Sequence, residues 1–188
     1  VISSLVIGDD MGPNDAVTVH NLGLLLAASF HLAAAHAGSG REHCTDPNAS
    51  QRRAQEINFS VKDGSPASIR AIGHAALAAD NRLNGSSVER LAWLMTGDSR
   101  TGWPPARMFT TANDCYTGER IVVGQAVARY NGIPLAHATG ASSSLPGVIG
   151  PTLLGQRYCM DGGISRSWAH TDLVAGSKRA IVITLTNG

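Results

Sequence analysis

Charge, aromatic rings and cysteine are all scarce in this chain of 188 residues. Charged residues make up 15%, and 15 Lys and Arg stand against 14 Asp and Glu, a net charge of +1. So even a balance offers no electrostatic basis for holding nucleic acid or an anionic membrane. The three cysteines, Cys44, Cys115 and Cys159, are odd in number and widely spaced. That argues against a disulfide framework, and with no C-x-x-C pair there is no zinc or redox signature. Long apolar runs are also missing. Residues 22–37 come nearest, but His31 and His36 interrupt them and they fall short of the ~20 residues that span a bilayer. A basic segment ahead of the first apolar residues is absent, so no secretory leader is read and a cytoplasmic location is expected. No G-x-G-x-x-G or Walker-type loop occurs, and no cofactor is expected. What is abundant is Gly, at 21 residues, within a 43% hydrophobic composition. Such a chain is globular rather than disordered. With no repeat or linker to divide it, residues 1–188 read as a single domain.

In chain order, residues 1–7 are apolar and stop at Gly8-Asp9-Asp10. Asn14 or Asp15 suits the cap of a helix over 16–37, ended by Gly38-Ser-Gly40. Residues 41–50 are polar, with Asp46-Pro47 as a breaker. Residues 51–62 fit no single period. Ser65-Pro66 opens a helix over 68–79 that contains Gly73. Ser86 or Ser87 can cap another over 88–96. Residues 106–111 and 119–124 read as a hairpin turning between Asp114 and Gly118. Ile133-Pro134 introduces a short helix from Leu135 to about Ser142.

The C-terminal stretch carries the most information. Residues 156–160 read as a short strand broken by Asp161-Gly162-Gly163, because Gly permits turns and close backbone approach. A helical segment over 171–175 and a β-rich strand over 180–185 follow, with Gly176 between them. Asp161 therefore stands where a strand ends and the chain turns, a common place for working residues in α/β proteins.

Upstream lies Ala141-Ser-Ser-Ser-Leu-Pro-Gly-Val-Ile-Gly-Pro151, then Arg157-Tyr158. With Thr117-Gly118-Glu119 before it and Asp161-Gly-Gly163, Asp172-Leu173 and the final strand after it, this order resembles the C-terminal portion of the patatin-like phospholipase family. The resemblance implies an α/β fold, a central sheet flanked by helices in three layers, and an N-terminally truncated family domain. It implies a lipase or phospholipase acting on lipid acyl esters, with possible peripheral membrane contact. It assigns Asp161 to the Ser-Asp dyad. Under it, residues 1–7 become the helix that follows the nucleophile, although an ordinary N-terminal strand fits their pattern equally well. Residues 158–160 and 180–185 are then expected in one sheet. The family has an Asn shortly before its Asp-Leu; His170 stands near that place.

A serine acyl hydrolase needs an activated hydroxyl, a base and oxyanion donors. No Ser here has Gly at both −2 and +2. Gly140-Ala-Ser142, Gly163-Ile-Ser165 and Gly97-Asp-Ser99 each lack the second Gly, which lets a nucleophile elbow turn sharply. The chain thus carries Asp161 and no elbow Ser, and these residues by themselves are expected to be inactive. The alternative is a non-catalytic lipid- or protein-binding relative. Among seven histidines, His31 and His36 are five apart and miss one helix face. His36, His43 and Cys44 converge only through a loop, so no metal site is assigned. His137 or His170 with Asp161 is a triad only if geometry assembles it. Cys159 is read as a core thiol.

Overall fold

The computed structural model describes residues 4–8, 46–81, 83, 103, 108–124, 131–165, 170–176 and 180–184. The helices expected over 16–37 and 88–96, and His31, His36, His43 and Cys44, lie outside the described residues. The rest is a mixed α/β fold. Its strands are β1 (Ser4–Gly8), β2 (Phe109–Asp114), β3 (Arg120–Gly124), β4 (Thr152–Leu154), β5 (Arg157–Asp161) and β6 (Ala180–Thr184). Its α-helices are α1 (Ala49–Ser60), α2 (Pro66–Ala78) and α3 (Leu135–Ser142).

A four-stranded antiparallel sheet in the order β3-β2-β5-β4 forms the centre. Neighbouring residues of a strand point to opposite faces, and both faces of this sheet are covered. On one, Ala112, Val123, Leu154 and Cys159 pack against Leu135, Ala138 and Ala141 of α3 and against Trp103. On the other, Cys115 and Met160 meet Ile69 and Ile72 of α2, with Ile57 of α1 alongside. Adjacent Cys159 and Met160 therefore belong to two different cores.

Two helices owe their ends to caps. Asn48 Oδ1 accepts from the Gln51 N–H at 2.9 Å, and Gln51 Oε1 accepts from the Asn48 N–H at 3.0 Å. This reciprocal box, about 1 kcal/mol per cap, starts α1 in the stretch that showed no period. Ser65 caps α2 ahead of Pro66 at its first turn. Within α2, Gly73 is required rather than merely tolerated. A Cβ there would stand 2.2 Å from the Cys115 carbonyl oxygen.

Two expectations need correction. Residues 4–8 form strand β1, not the helix that the family resemblance suggested. The β-branched and aliphatic run Leu5-Val6-Ile7 suits a strand, and five residue pairs align it antiparallel with β6. Among the described residues, β6 pairs with β1 in a two-stranded sheet while β5 belongs to the four-stranded one, so the two strands expected together stand in different sheets. The helical segment expected over 171–175 is present as a short 3₁₀ helix, Thr171–Val174. The hairpin, with its turn after Asp114, and the helix Leu135–Ser142 stand where the sequence placed them.

Candidate functional site around Asp161

β5 ends in Asp161, which is only 2% exposed. The strand is stitched in from both sides. On one, Asp161 pairs in register with Ala112 of β2. On the other, β4 reaches only to Thr152, opposite Cys159. Beyond it the Ser144 carbonyl takes over and accepts the Asp161 N–H at 2.9 Å. Ser144 is fixed in turn, its hydroxyl bonded to the Gly140 carbonyl at 2.9 Å and to the Thr152 hydroxyl at 2.8 Å. The Ser-rich run thus borders Asp161 through its main chain. Ser142 and Ser143 are buried as well, and Ser143 Oγ has no partner among the described residues.

Past Asp161 the chain enters a short 3₁₀ turn, Gly162–Ser165. The Gly163 N–H donates to Asp161 Oδ1 at 2.7 Å, a charge-assisted bond that orients the carboxylate. Gly162 lies flush against β2. A Cβ on it would fall 2.3 Å from Thr111 Oγ1 and 2.4 Å from the Thr111 carbonyl oxygen. Ser165 does not face a base in any bond shown. Its hydroxyl donates to the Gly162 carbonyl at 2.9 Å. It also lines a cleft of 520 Å³ with Arg120, Glu119 and Ile69.

Asn113 and Arg120, which lie behind this turn, were not singled out from the sequence, whereas His170 and Asp172 were. Asn113, fully buried in β2, donates through Nδ2 to the Asp161 carbonyl at 2.7 Å and to the Gly162 carbonyl at 3.2 Å. Asn113 is paired across the hairpin with Arg120 of β3. Arg120 forks onto Asp172, with Nη1–Oδ1 at 2.9 Å and Nη2–Oδ2 at 2.5 Å. Its Nη1 also lies 3.2 Å from His170 Nδ1. The hydrogen bond from Arg120 holds the Asp172 carboxyl below its ordinary range. His170 is 5% exposed, and its backbone is left-handed at φ 54°. Burial, and then the Arg120 charge, push the His170 ring below its ordinary pKa, against the opposing pull of Asp172 and Asp161.

Other candidates fall elsewhere. His137 Nε2 lies 2.7 Å from the Leu153 carbonyl in β4. Cys159 is a buried thiol, pushed up to about 12 by burial and by Asp114, and Cys115 is likewise pushed up to about 12. Neither is a nucleophile at neutral pH. Among the described residues no group of three or more His, Cys, Asp or Glu side chains is placed to hold a metal. No described helix is long and apolar enough to cross a membrane.

No protein-family model matches this chain, and no curated protein or solved structure matches it either.

Proposed function

We propose that Asp161 is the general base of an acyl-ester hydrolase of the lipase or phospholipase type. The observation that carries this reading is a buried carboxylate at a strand end, aimed by its own Asp-Gly-Gly turn and held at Oδ1 by the Gly163 N–H. A base must be held in one place to collect a proton. In the proposed step, the carboxylate takes the proton of a Ser hydroxyl as the Ser oxygen bonds to the acyl carbon. The alcohol leaves with that proton, and water then releases the acid by the same route. That Ser would come from a G-x-S-x-G segment outside these 188 residues, since none of them provides one. Lipid acyl esters as substrates rest on the likeness to patatin-like phospholipases.

A second reading is a binding relative without turnover. It is favoured by Ser144 and Ser165, whose hydroxyls are committed to main-chain carbonyls. Hydrolysis of p-nitrophenyl butyrate separates the two. The 188 residues alone should neither hydrolyse it nor take a fluorophosphonate label. Joined to an upstream G-x-S-x-G segment, the chain should turn over. Asp161→Asn should then lower kcat by about 10²–10⁴-fold, the usual worth of a positioned base, with the melting temperature unchanged. Undiminished turnover by Asp161→Asn would remove the base from the mechanism.

A further inference from the structure

One peptide group joins the Asp161 carboxylate to two other side chains. The carbonyl of the Gly162–Gly163 peptide accepts from Ser165 Oγ at 2.9 Å and from Asn113 Nδ2 at 3.2 Å. The N–H of the same peptide donates to Asp161 Oδ1 at 2.7 Å. A trans peptide is planar, and its C=O and N–H point in opposite directions. Whatever fixes the carbonyl therefore aims the N–H.

The two donors stand on different elements. Asn113 belongs to β2 and also donates to the Asp161 carbonyl at 2.7 Å, so it holds two successive peptides. Ser165 ends the 3₁₀ turn Gly162–Ser165, and its hydroxyl closes that turn back onto the first residue. Gly162 has little room to shift, because Thr111 Oγ1 and the Thr111 carbonyl fill the space where a Cβ would be. The order of the bonds also matters electrically. A carbonyl that accepts hydrogen bonds polarises its own peptide and makes the N–H a better donor, by about 10–30% per bond. Here the chain of bonds ends on a carboxylate, where the last bond is charge-assisted.

We propose that Ser165 is a positioning residue for Asp161: with Asn113 it holds the Gly162 carbonyl, and through that peptide it aims and polarises the Gly163 N–H that orients the carboxylate. This deepens the hydrolase reading and rests on it for the role of Asp161 as base. It also gives the hydroxyl of Gly163-Ile-Ser165 a task other than that of nucleophile.

The test uses the 188-residue chain and needs no turnover. Ser165→Ala deletes the hydroxyl. Ser165→Thr keeps it, and the added methyl has room because Ser165 borders the cleft. Hydrogen exchange and the proton shift of the Gly163 amide report the bond to Asp161 Oδ1 directly. Ser165→Ala should speed Gly163 exchange about 2- to 10-fold, the equivalent of one neutral hydrogen bond, and move its amide proton upfield. Ser165→Thr should remain within about twofold of the parent, inside that single-bond range. The Ala138 amide of α3, bonded to the Pro134 carbonyl, is the reference and should not change in either variant. Asp161→Asn should also move the Gly163 proton upfield, since a neutral acceptor bonds more weakly than a carboxylate. Ser165→Ala behaving like the parent at Gly163 would overturn the proposal. So would Ser165→Thr behaving like Ser165→Ala, which removes the hydroxyl as the cause. Equal speeding at Gly163 and Ala138 would overturn it too, because Ser165 would then act on the stability of the whole domain. A Gly163 proton unmoved by Asp161→Asn would show that the N–H does not serve the carboxylate. Because the ester assay with Asp161→Asn stands apart, a failed relay and a failed hydrolase reading give different results.

Discussion

Replacing Asn113 tests the architecture of the site most directly. Asn113 is fully buried, and its Nδ2 serves two main-chain carbonyls at 2.7 and 3.2 Å. Those two acceptors also settle which end of the amide faces the turn. Its Oδ1 has no partner among the described residues, so removing that atom costs no bond there. Asn113→Ala deprives two buried carbonyls of a donor and opens a small cavity. An acceptor left unsatisfied costs about 1–3 kcal/mol. The longer bond is the weaker, so a loss of about 2–4 kcal/mol is expected. Asn113→Asp preserves the shape, yet it sets a carboxylate oxygen against two carbonyl oxygens in a buried place. It should therefore be the less stable of the two, because unpaired buried charge costs more than lost volume. Urea unfolding at pH 7 measures both variants, with an unchanged m-value confirming that the same transition is followed. A ranking with Asn113→Asp more stable than Asn113→Ala would show that the residue works by volume and not by its N–H groups. So would a loss under about 0.5 kcal/mol for Asn113→Ala, below the value of a single hydrogen bond.

Two further outcomes follow from the same region. Gly162→Ala should cost at least about 1–3 kcal/mol as an overpacked substitution. A companion Thr111→Ala change should not rescue it, because the Thr111 carbonyl, 2.4 Å from the added Cβ, remains; recovery in the double variant would place the conflict at the hydroxyl instead. The second outcome is a pH dependence of stability set by His170. Arg120 of β3, Asp172 on its own turn and Asp161 of β5 face the ring, and burial with Arg120 prevails, so the folded pKa lies below the ordinary 6.5. As pH falls below about 6.5, the ordinary histidine value, the unfolded chain takes up a proton that the folded ring refuses. Stability is lost across that window and is fully present above it. His170→Asn should flatten this segment of the curve in urea titrations between pH 7 and 5, and an unchanged slope would show that another group titrates there.

Local sequence made the hairpin, α2, α3 and β5 readable because each has its own punctuation. Ser65-Pro66 opens α2, Ile133-Pro134 opens α3, and Asp161-Gly-Gly163 closes β5. α1 was unreadable for a physical reason. Its buried stripe is Gln51, Ala54 and Asn58, at helical spacing but largely amide rather than apolar. Hydrophobic periodicity has nothing to detect there. The N-x-x-Q box at Asn48 and Gln51 was the available signal. The strand character of β6 was readable, but its partner was not. Leu5-Val6-Ile7 and Ile181-Val-Ile183 are equally good strands, and nothing local in either names the sheet that takes it. The site was half readable for the same reason. Asp161 announces itself by the turn that follows it and His170 by its place before Asp172-Leu173, whereas Asn113 and Arg120 act through partners 48 to 50 positions away.

Register converts those distant residues into one site. β2 lies between β3 and β5, and Asn113 is paired at once with Arg120 on one side and Met160 on the other. Residues paired across a sheet share a face, so the Asn113 amide and the Arg120 side chain start from the same row. From that row one reaches the Asp161 turn and the other reaches His170. A slip of β2 by one residue would send every side chain of the strand to the opposite face. Asn113 would then point toward α3, and Ala112 would take its place beneath the turn. The slip is opposed by burial on both faces: Ala112 belongs to the core under α3, while Cys115 belongs to the core under α2. Two separate apolar cores therefore hold the register that aligns the polar braces. The same packing that stabilises the sheet fixes the direction of the Asp161 carboxylate, and a large-to-small change in either core should loosen the site before it unfolds the domain.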